Sequence, residues 1–331
     1  MRITPELEFL EKLEHELIEG KARWLAEFNE SFRNVRLLHL DFDMVVEGST
    51  RGKSGYLFSA ILSRTMLPAY AASCFVKILR GGTGFDAAEL DKYVSGLQLY
   101  LKDKEAKWSF LILVHSGNAP RVLREKIQSL NNEAIGVALV DVVTIEILHN
   151  SSLIGRSAER ILPKKWKSSG VHVDATSQYV PDQAQGRQWS KLAFVFGLTL
   201  LGLTFLSFLV SAFLIGSLTT NRGGLIINIG LASVITYWYS RGKYYNRISL
   251  EDGGITVQTG RNEPSFAKWS SFDMVSLKHL GVGQFDVRLY RTNDHTEFLS
   301  VPVSGVKVDP SGFRWKAMEL CGHGMNRYVR I

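Results

Sequence analysis

The chain has 331 residues, enough for two or three folded units at about 150 residues each. Hydrophobic residues make up 45% and charged residues 21%, which excludes a disordered chain, and only two cysteines, Cys74 and Cys321, exclude a disulfide scaffold or a paired-CxxC zinc site. Lys and Arg outnumber Asp and Glu by 39 to 32, and the net charge of +7 favours anionic partners, lipid headgroups or nucleic acid.

The opening PELEFLEKLEHELIEG is amphipathic and charged, so a helix is expected there and a signal peptide is not. Leu10, Leu13, Leu17, Trp24, Leu25 and Phe28 supply its apolar stripe. VRLLHLDFDMVVEG then alternates strictly and predicts one strand. Leu38, Leu40, Phe42 and Met44 share one face, and His39, Asp41 and Asp43 the other. Such a polar face is either the solvent side of an edge strand or a metal triad. CFVKIL predicts a short strand running into RGGTG (Arg80 to Gly84), a turn or a phosphate-holding nest without the Lys-Ser/Thr of a P-loop.

DAAELDKYVSGLQLYL predicts a helix, WSFLILVH a strand, RVLREKIQSLN a helix after Pro120, and AIGVALVDVVTIEIL a β-rich close. The order α-β-β-β-α-β-α-β predicts a mixed α/β sandwich over residues 1–162. Polar, turn-rich residues 163–190 are expected to form a linker.

Residues 191–240 predict a transmembrane hairpin. The uncharged run from Leu192 to Asn221 would make a helix of about 45 Å, against a hydrocarbon layer of about 30 Å. The second stretch, Gly223 to Ser240, is short for a span. It carries Asn228 inside and ends in Tyr237, Trp238 and Tyr239, interface residues. A second span with Asn228 bonded to the first helix is the simplest expectation, and a re-entrant or interfacial segment the other. Arg187, Lys191, Arg241, Lys243 and Arg247 flank the pair, with Lys164, Lys165 and Lys167 upstream, while the connection holds only Arg222. Both termini are therefore expected in the cytoplasm, on a cell-membrane protein with two spans.

Residues 241–331 predict consecutive strands: a hairpin on Asp252-Gly253, then FAKWSSFDMVSLKHL, QFDVRLYRTND and HTEFLSVPVSG, with a helix after Pro310. Asp273, His279 and His295 have no Ser-centred motif beside them, so no hydrolase triad is expected.

WSFLILVHSGNAPRVLREKI followed by IGVALVDVVTIEIL resembles the closing half of the PD-(D/E)XK restriction-endonuclease-like superfamily, over roughly residues 30–150. The resemblance implies a Mg²⁺-dependent DNA nuclease site with one carboxylate on an early core strand and an acidic-x-Lys tripeptide on the next. It places the first carboxylate and metal ligand at Asp43, or Asp41, and the lysine at Lys77. The second acidic position falls on Phe75, which cannot bind a metal, unless a migrated acid such as Glu47 replaces it. The last 88 residues, from Tyr244, resemble bacterial PH-like domains of the YcxB-like kind that follow two transmembrane helices. GGITVQTG, the run holding Trp269, Phe272 and Val275, and FLSVPVSGV with Pro302 carry that resemblance. Glu251 and Asp252 occupy the first turn, where a phosphoinositide-binding domain would be basic, while Arg261 and Lys268 border the next loop.

Together these features predict a membrane-anchored cytoplasmic scaffold or sensor. It would bind a protein partner or nucleic acid through an inactive nuclease-like domain and needs no cofactor. The alternative is a membrane-tethered nuclease using Asp43, Lys77 and Mg²⁺. A homo-oligomer is compatible with either.

Overall fold

A computed structural model describes residues 4–19, 26–49, 70–80, 85–117, 119–163, 180–187, 189–215, 222–240, 245–281, 283–292, 294, 296–306, 308–322 and 326–327. The protein is mixed α/β, with two sheets and seven α-helices among the described residues. It divides into two compact units that do not follow chain order. The first comprises residues 1–180, 270–301 and 309–331, and the second residues 181–269 and 302–308.

The first unit is built on one mixed sheet. Its order is β13-β12-β11-β1-β2-β3-β4-β5-β6, and the two-residue β14 (Asn326–Arg327) lies parallel to β1. The N-terminal strands are β1 (Glu27–Leu37), β2 (Leu40–Ser49), β3 (Ala71–Ile78), β4 (Trp108–His115), β5 (Ile135–Asp141) and β6 (Ile147–His149). The C-terminal strands β11 (Phe272–Gly281), β12 (Gln284–Arg291) and β13 (Phe298–Val301) extend the same sheet through the antiparallel β1–β11 pair. Much of the stretch expected in a separate C-terminal domain therefore completes the N-terminal sheet. Strand pairing across so long a sequence separation leaves no local signature.

Helix α1 (Pro5–Ile18) starts with Pro5 at its first turn and packs on β1 and β2. Phe28, expected on its apolar stripe, instead belongs to β1, and Trp24 and Leu25 lie outside the described residues. Helix α2 (Ala87–Asp103) is capped by Asp86, whose side chain accepts the Glu89 N–H at 2.9 Å. It carries the chain from β3 to the parallel β4, and α3 (Arg121–Ser129) does the same from β4 to β5. Leu90, Tyr93, Leu97 and Tyr100 of α2 bury against Phe75, Leu111 and Val137 of the sheet, forming the main core. Helix α4 (Leu153–Ile161) packs on β5, where Gly136 lets the Ile154 backbone approach too closely for any side chain.

VRLLHLDFDMVVEG, expected as one strand, is a hairpin. Leu38 and His39 both take positive φ, 48° and 66°, and form its two-residue turn. Asn-Gly or Asp-Gly usually signals such a turn, and Leu-His does not. The alternation also breaks: Phe42 and Val45 bury in the same cluster, and Asn34, between the pairs Arg33↔Met44 and Val35↔Phe42, has φ 50°.

The second unit contains a four-stranded antiparallel sheet in the order β10-β9-β8-β7. Its strands are β7 (Gln183–Arg187), β8 (Tyr245–Glu251), β9 (Gly254–Thr259) and β10 (Ser265–Lys268). β7 lies within the stretch expected as a linker. Between β7 and β8 the chain runs through α5 (Trp189–Ile215) and α6 (Arg222–Ser240), which pack on each other. One segment of α5, Leu192–Ser211, is long and apolar enough to cross a membrane. Its mean hydropathy is 2.3, and none of its residues is fully buried by protein. The apolar part of α6, Gly224–Trp238, is shorter. Asn228, Ala232 and Thr236 recur at helical spacing as its buried stripe. In the first unit, α7 (Pro310–Leu320) packs on β11 and β12, capped by the Asp309 side chain.

Candidate functional site

β2 and β3 pair as far as Met44↔Val76 and then separate, so Asp43 has no ladder partner on β3. Its carboxylate bridges the gap and accepts the Ile78 N–H at 2.8 Å. Lys77 Nζ lies 3.9 Å from one carboxylate oxygen and the Arg80 guanidinium 3.7 Å from the other. Asp43 is largely buried, Lys77 partly so, and Arg80 is exposed. The two residues singled out by the nuclease-like pattern thus meet, although 34 positions apart.

The separating strands open a cleft of about 480 Å³ lined by Asn34, Asp41, Asp43, Lys77, Arg80 and Tyr93, among others. It lies beyond the C-terminal end of β3, beside the start of α2. In open α/β sheets that is the edge where ligands sit. The Tyr93 hydroxyl donates to the Asp41 carbonyl at 2.9 Å. Burial, with Asp41 and Glu89 nearby, pushes that phenol up to about 12, so it stays a donor at physiological pH.

Asp41 faces its cross-strand partner Arg36, which donates to both carboxylate oxygens at 2.7 and 3.2 Å. The Arg36 hydrogen bonds hold Asp41 below the usual carboxylate range despite partial burial. His39 is exposed in the hairpin turn. Phe75 is fully buried against Phe42 and Tyr100, with ring centroids 4.9 and 5.1 Å away. Glu47 stands four residues along β2 from Asp43, about 13 Å in an extended strand, and accepts the Tyr100 hydroxyl at 3.1 Å. No group of three or more His, Cys, Asp or Glu is placed to hold a metal among the described residues. A Mg²⁺ ion needs several converging hard oxygens, and with Asp43 held by two cations and an amide and Asp41 by Arg36, the carboxylates of this cleft do not fit one.

Residues 81–84 of the RGGTG segment lie outside the described residues, as do His295 and Lys164, Lys165 and Lys167. Asp273 and His279 stand six residues apart on β11, roughly 20 Å in an extended strand.

Two buried charge networks in the first unit left no local mark in the sequence. On the face of β1 toward α1, Arg33 and Arg314 converge on Glu14, with Arg33 Nε at 2.9 Å and Arg314 Nη2 at 3.1 Å. All three side chains are nearly inaccessible. Burial alone would raise Glu14, but Arg314 and Arg33 outweigh it and hold the carboxyl far below its usual value. On the opposite face Glu30 accepts from Ser276 at 2.6 Å, from Tyr290, and from Lys278 at 3.2 Å. Burial opposes ionisation there too, but Lys278, Ser276, Tyr290 and Arg288 keep Glu30 below its usual range. Each is a structural cluster in which cations compensate a buried carboxylate, although Arg314 Nε and Arg288 Nε find no hydrogen-bond acceptor among the described residues.

Comparison with protein-family models, with curated proteins and with solved structures finds no match to this chain.

Proposed function

We propose that the protein is a membrane-anchored sensor that holds nucleic acid at the Asp43–Lys77 cleft without cleaving it. The observation that carries this proposal is the pairing of Lys77 with Asp43 at a cleft edge while Phe75 fills the position of the second metal-binding acid. Lys77 and Arg80 converge there on Asp43, so two cationic side chains stand at the cleft edge where a phosphate could be met. Cleavage would require carboxylates converging on a metal, whereas Asp43 is engaged by Lys77 and Arg80 and Asp41 by Arg36.

Chain topology supports the anchor. β1 pairs with β11, and β7 pairs with β8, so sequence on both sides of α5 and α6 belongs to shared ladders. A chain that crosses a bilayer once through α5 must cross back before β8 for those ladders to form. That favours α6 as a second, short span, and the flanking Lys and Arg favour a cytoplasmic placement for both termini.

The test uses the full chain in detergent micelles with fluorescent single- and double-stranded DNA, with and without Mg²⁺ or Mn²⁺. Binding that weakens uniformly across sequences in Lys77→Ala and Arg80→Ala, with intact DNA recovered in every metal condition, supports the proposal. Cleavage lost in Asp43→Ala and Lys77→Ala would establish the nuclease alternative instead. No binding to any DNA would remove nucleic acid and leave a protein partner.

A further inference from the structure

The register of the small sheet in the second unit sorts its charges by distance from the membrane helices. β7 ends at Arg187, and α5 begins at Trp189. α6 ends at Ser240, and β8 begins at Tyr245. The pair Arg187↔Tyr245 therefore marks the end of the sheet joined to both helices. Following the ladders outward, Arg247 lies opposite Gln185 and Gln258, two residues or about 7 Å from that end. The β9–β10 turn, with Arg261, Asn262 and Glu263, extends from the same end, since Asn246 pairs with Thr259. The far end holds Asp182, just before β7, the Glu251↔Gly254 pair, Asp252 in the β8–β9 turn, and Lys268 opposite Gly254.

Each end has one charge of the minority sign, Glu263 near the helices and Lys268 away from them. Otherwise the near end is cationic and the far end anionic. Arg247 and Arg261 are both exposed. The sequence between α6 and β8 also carries Arg241 and Lys243.

We propose that this end of the small sheet, presented by Arg247 and Arg261, docks on anionic phospholipid headgroups of the membrane that the protein spans. The proposal rests on the membrane-spanning function proposed above. The occupant follows from covalent connection, because a single residue separates β7 from α5, and from charge complementarity. A sheet tethered so closely holds its cations within reach of the surface potential, which decays over about 8 Å at physiological salt. The acidic far end, repelled by the same surface, fixes the orientation of the sheet.

The test places a fluorophore on the full chain at Asn262→Cys, in the near turn, or at Gly253→Cys, in the far one. Cys74 and Cys321 are buried and stay unlabelled. The protein is reconstituted in vesicles of neutral phosphatidylcholine, or of phosphatidylcholine with phosphatidylglycerol, carrying a headgroup spin label as quencher. The expected result is strong quenching at Asn262→Cys in anionic vesicles and weak quenching at Gly253→Cys. Quenching should fall when Arg247→Glu and Arg261→Glu are added, by about fivefold in docked population per cation. Raising salt to about 0.5 M should reproduce that loss. Equal quenching at the two positions, or quenching indifferent to lipid charge and to both reversals, would overturn the docking proposal while leaving the spans intact. A chain that fails to float with the vesicles and is stripped by carbonate would overturn the membrane function itself.

Discussion

Lys278 and Glu30 are 248 residues apart in sequence, yet they face each other across the β1–β11 pair with Nζ 3.2 Å from the carboxylate. Arg288, Ser276 and Tyr290 complete the cluster from β11 and β12. The contact records how the first unit is made: in sequence, α5, α6 and the small sheet are inserted between two parts of one fold. The N-terminal strands leave β1 with an open edge that β11 closes, which is also the standard remedy for an exposed strand edge.

Replacing Glu30 by Gln should destabilise the first unit by about 3 kcal/mol, because the partly buried Lys278 and Arg288 would lose the carboxylate that they both contact. Lys278→Met, which removes a cation and leaves Arg288 to balance Glu30, should cost clearly less. Denaturation of the detergent-solubilised chain, followed by tryptophan fluorescence, ranks the two. An equal cost would mean the pair is not acting through charge balance.

Stability should fall with acid, and Glu14 sets the direction. Its folded-state carboxyl is held well below the unfolded value of 4.5 by Arg314 and Arg33, against burial. As pH drops through that value the unfolded chain takes up a proton that the folded chain refuses, so stability is full above it and declines below it. Glu30 acts in the same sense. Thermal midpoints measured from pH 7 down to about pH 3 should be level at first and then fall, and Glu14→Gln should flatten the acid limb while lowering the neutral midpoint.

Phe75→Asp, which restores the acidic-x-Lys pattern, should unfold the protein rather than create a nuclease. The side chain lies in the core between Phe42 and Tyr100. Emptying such a site costs about 3 to 5 kcal/mol before the burial of a carboxylate is counted. Soluble, folded protein with Mg²⁺-dependent cleavage would show that the core yields where its packing says it should not.

Membrane topology is open to direct labelling. A cysteine replacing Arg222, at the start of α6, should react from the opposite side of a sealed vesicle to cysteines replacing Glu133 and Glu297 in the first unit. Those last two should always report the same side, because residues before and after the helices share one sheet. Opposite sides for Glu133 and Glu297 would contradict the fold itself.

Charge-free length and apolarity made the α5 segment legible in the sequence, since hydropathy is a local property that needs no partner. The mixed α/β character was legible for the same reason, through helical and alternating periodicities, although VRLLHLDFDMVVEG, expected as one strand, spans two. Lys77 and Asp43 could be paired by pattern, but only the separation of β2 from β3 after Met44 makes their cleft. The Leu38–His39 turn, the break in alternation at Asn34 and Phe42, and the joining of β11 to β1 carry no local signal. Each is decided by what lies across the sheet, where burying Glu14 and Glu30 beside arginines and a lysine depends on side chains brought together from both ends of the chain.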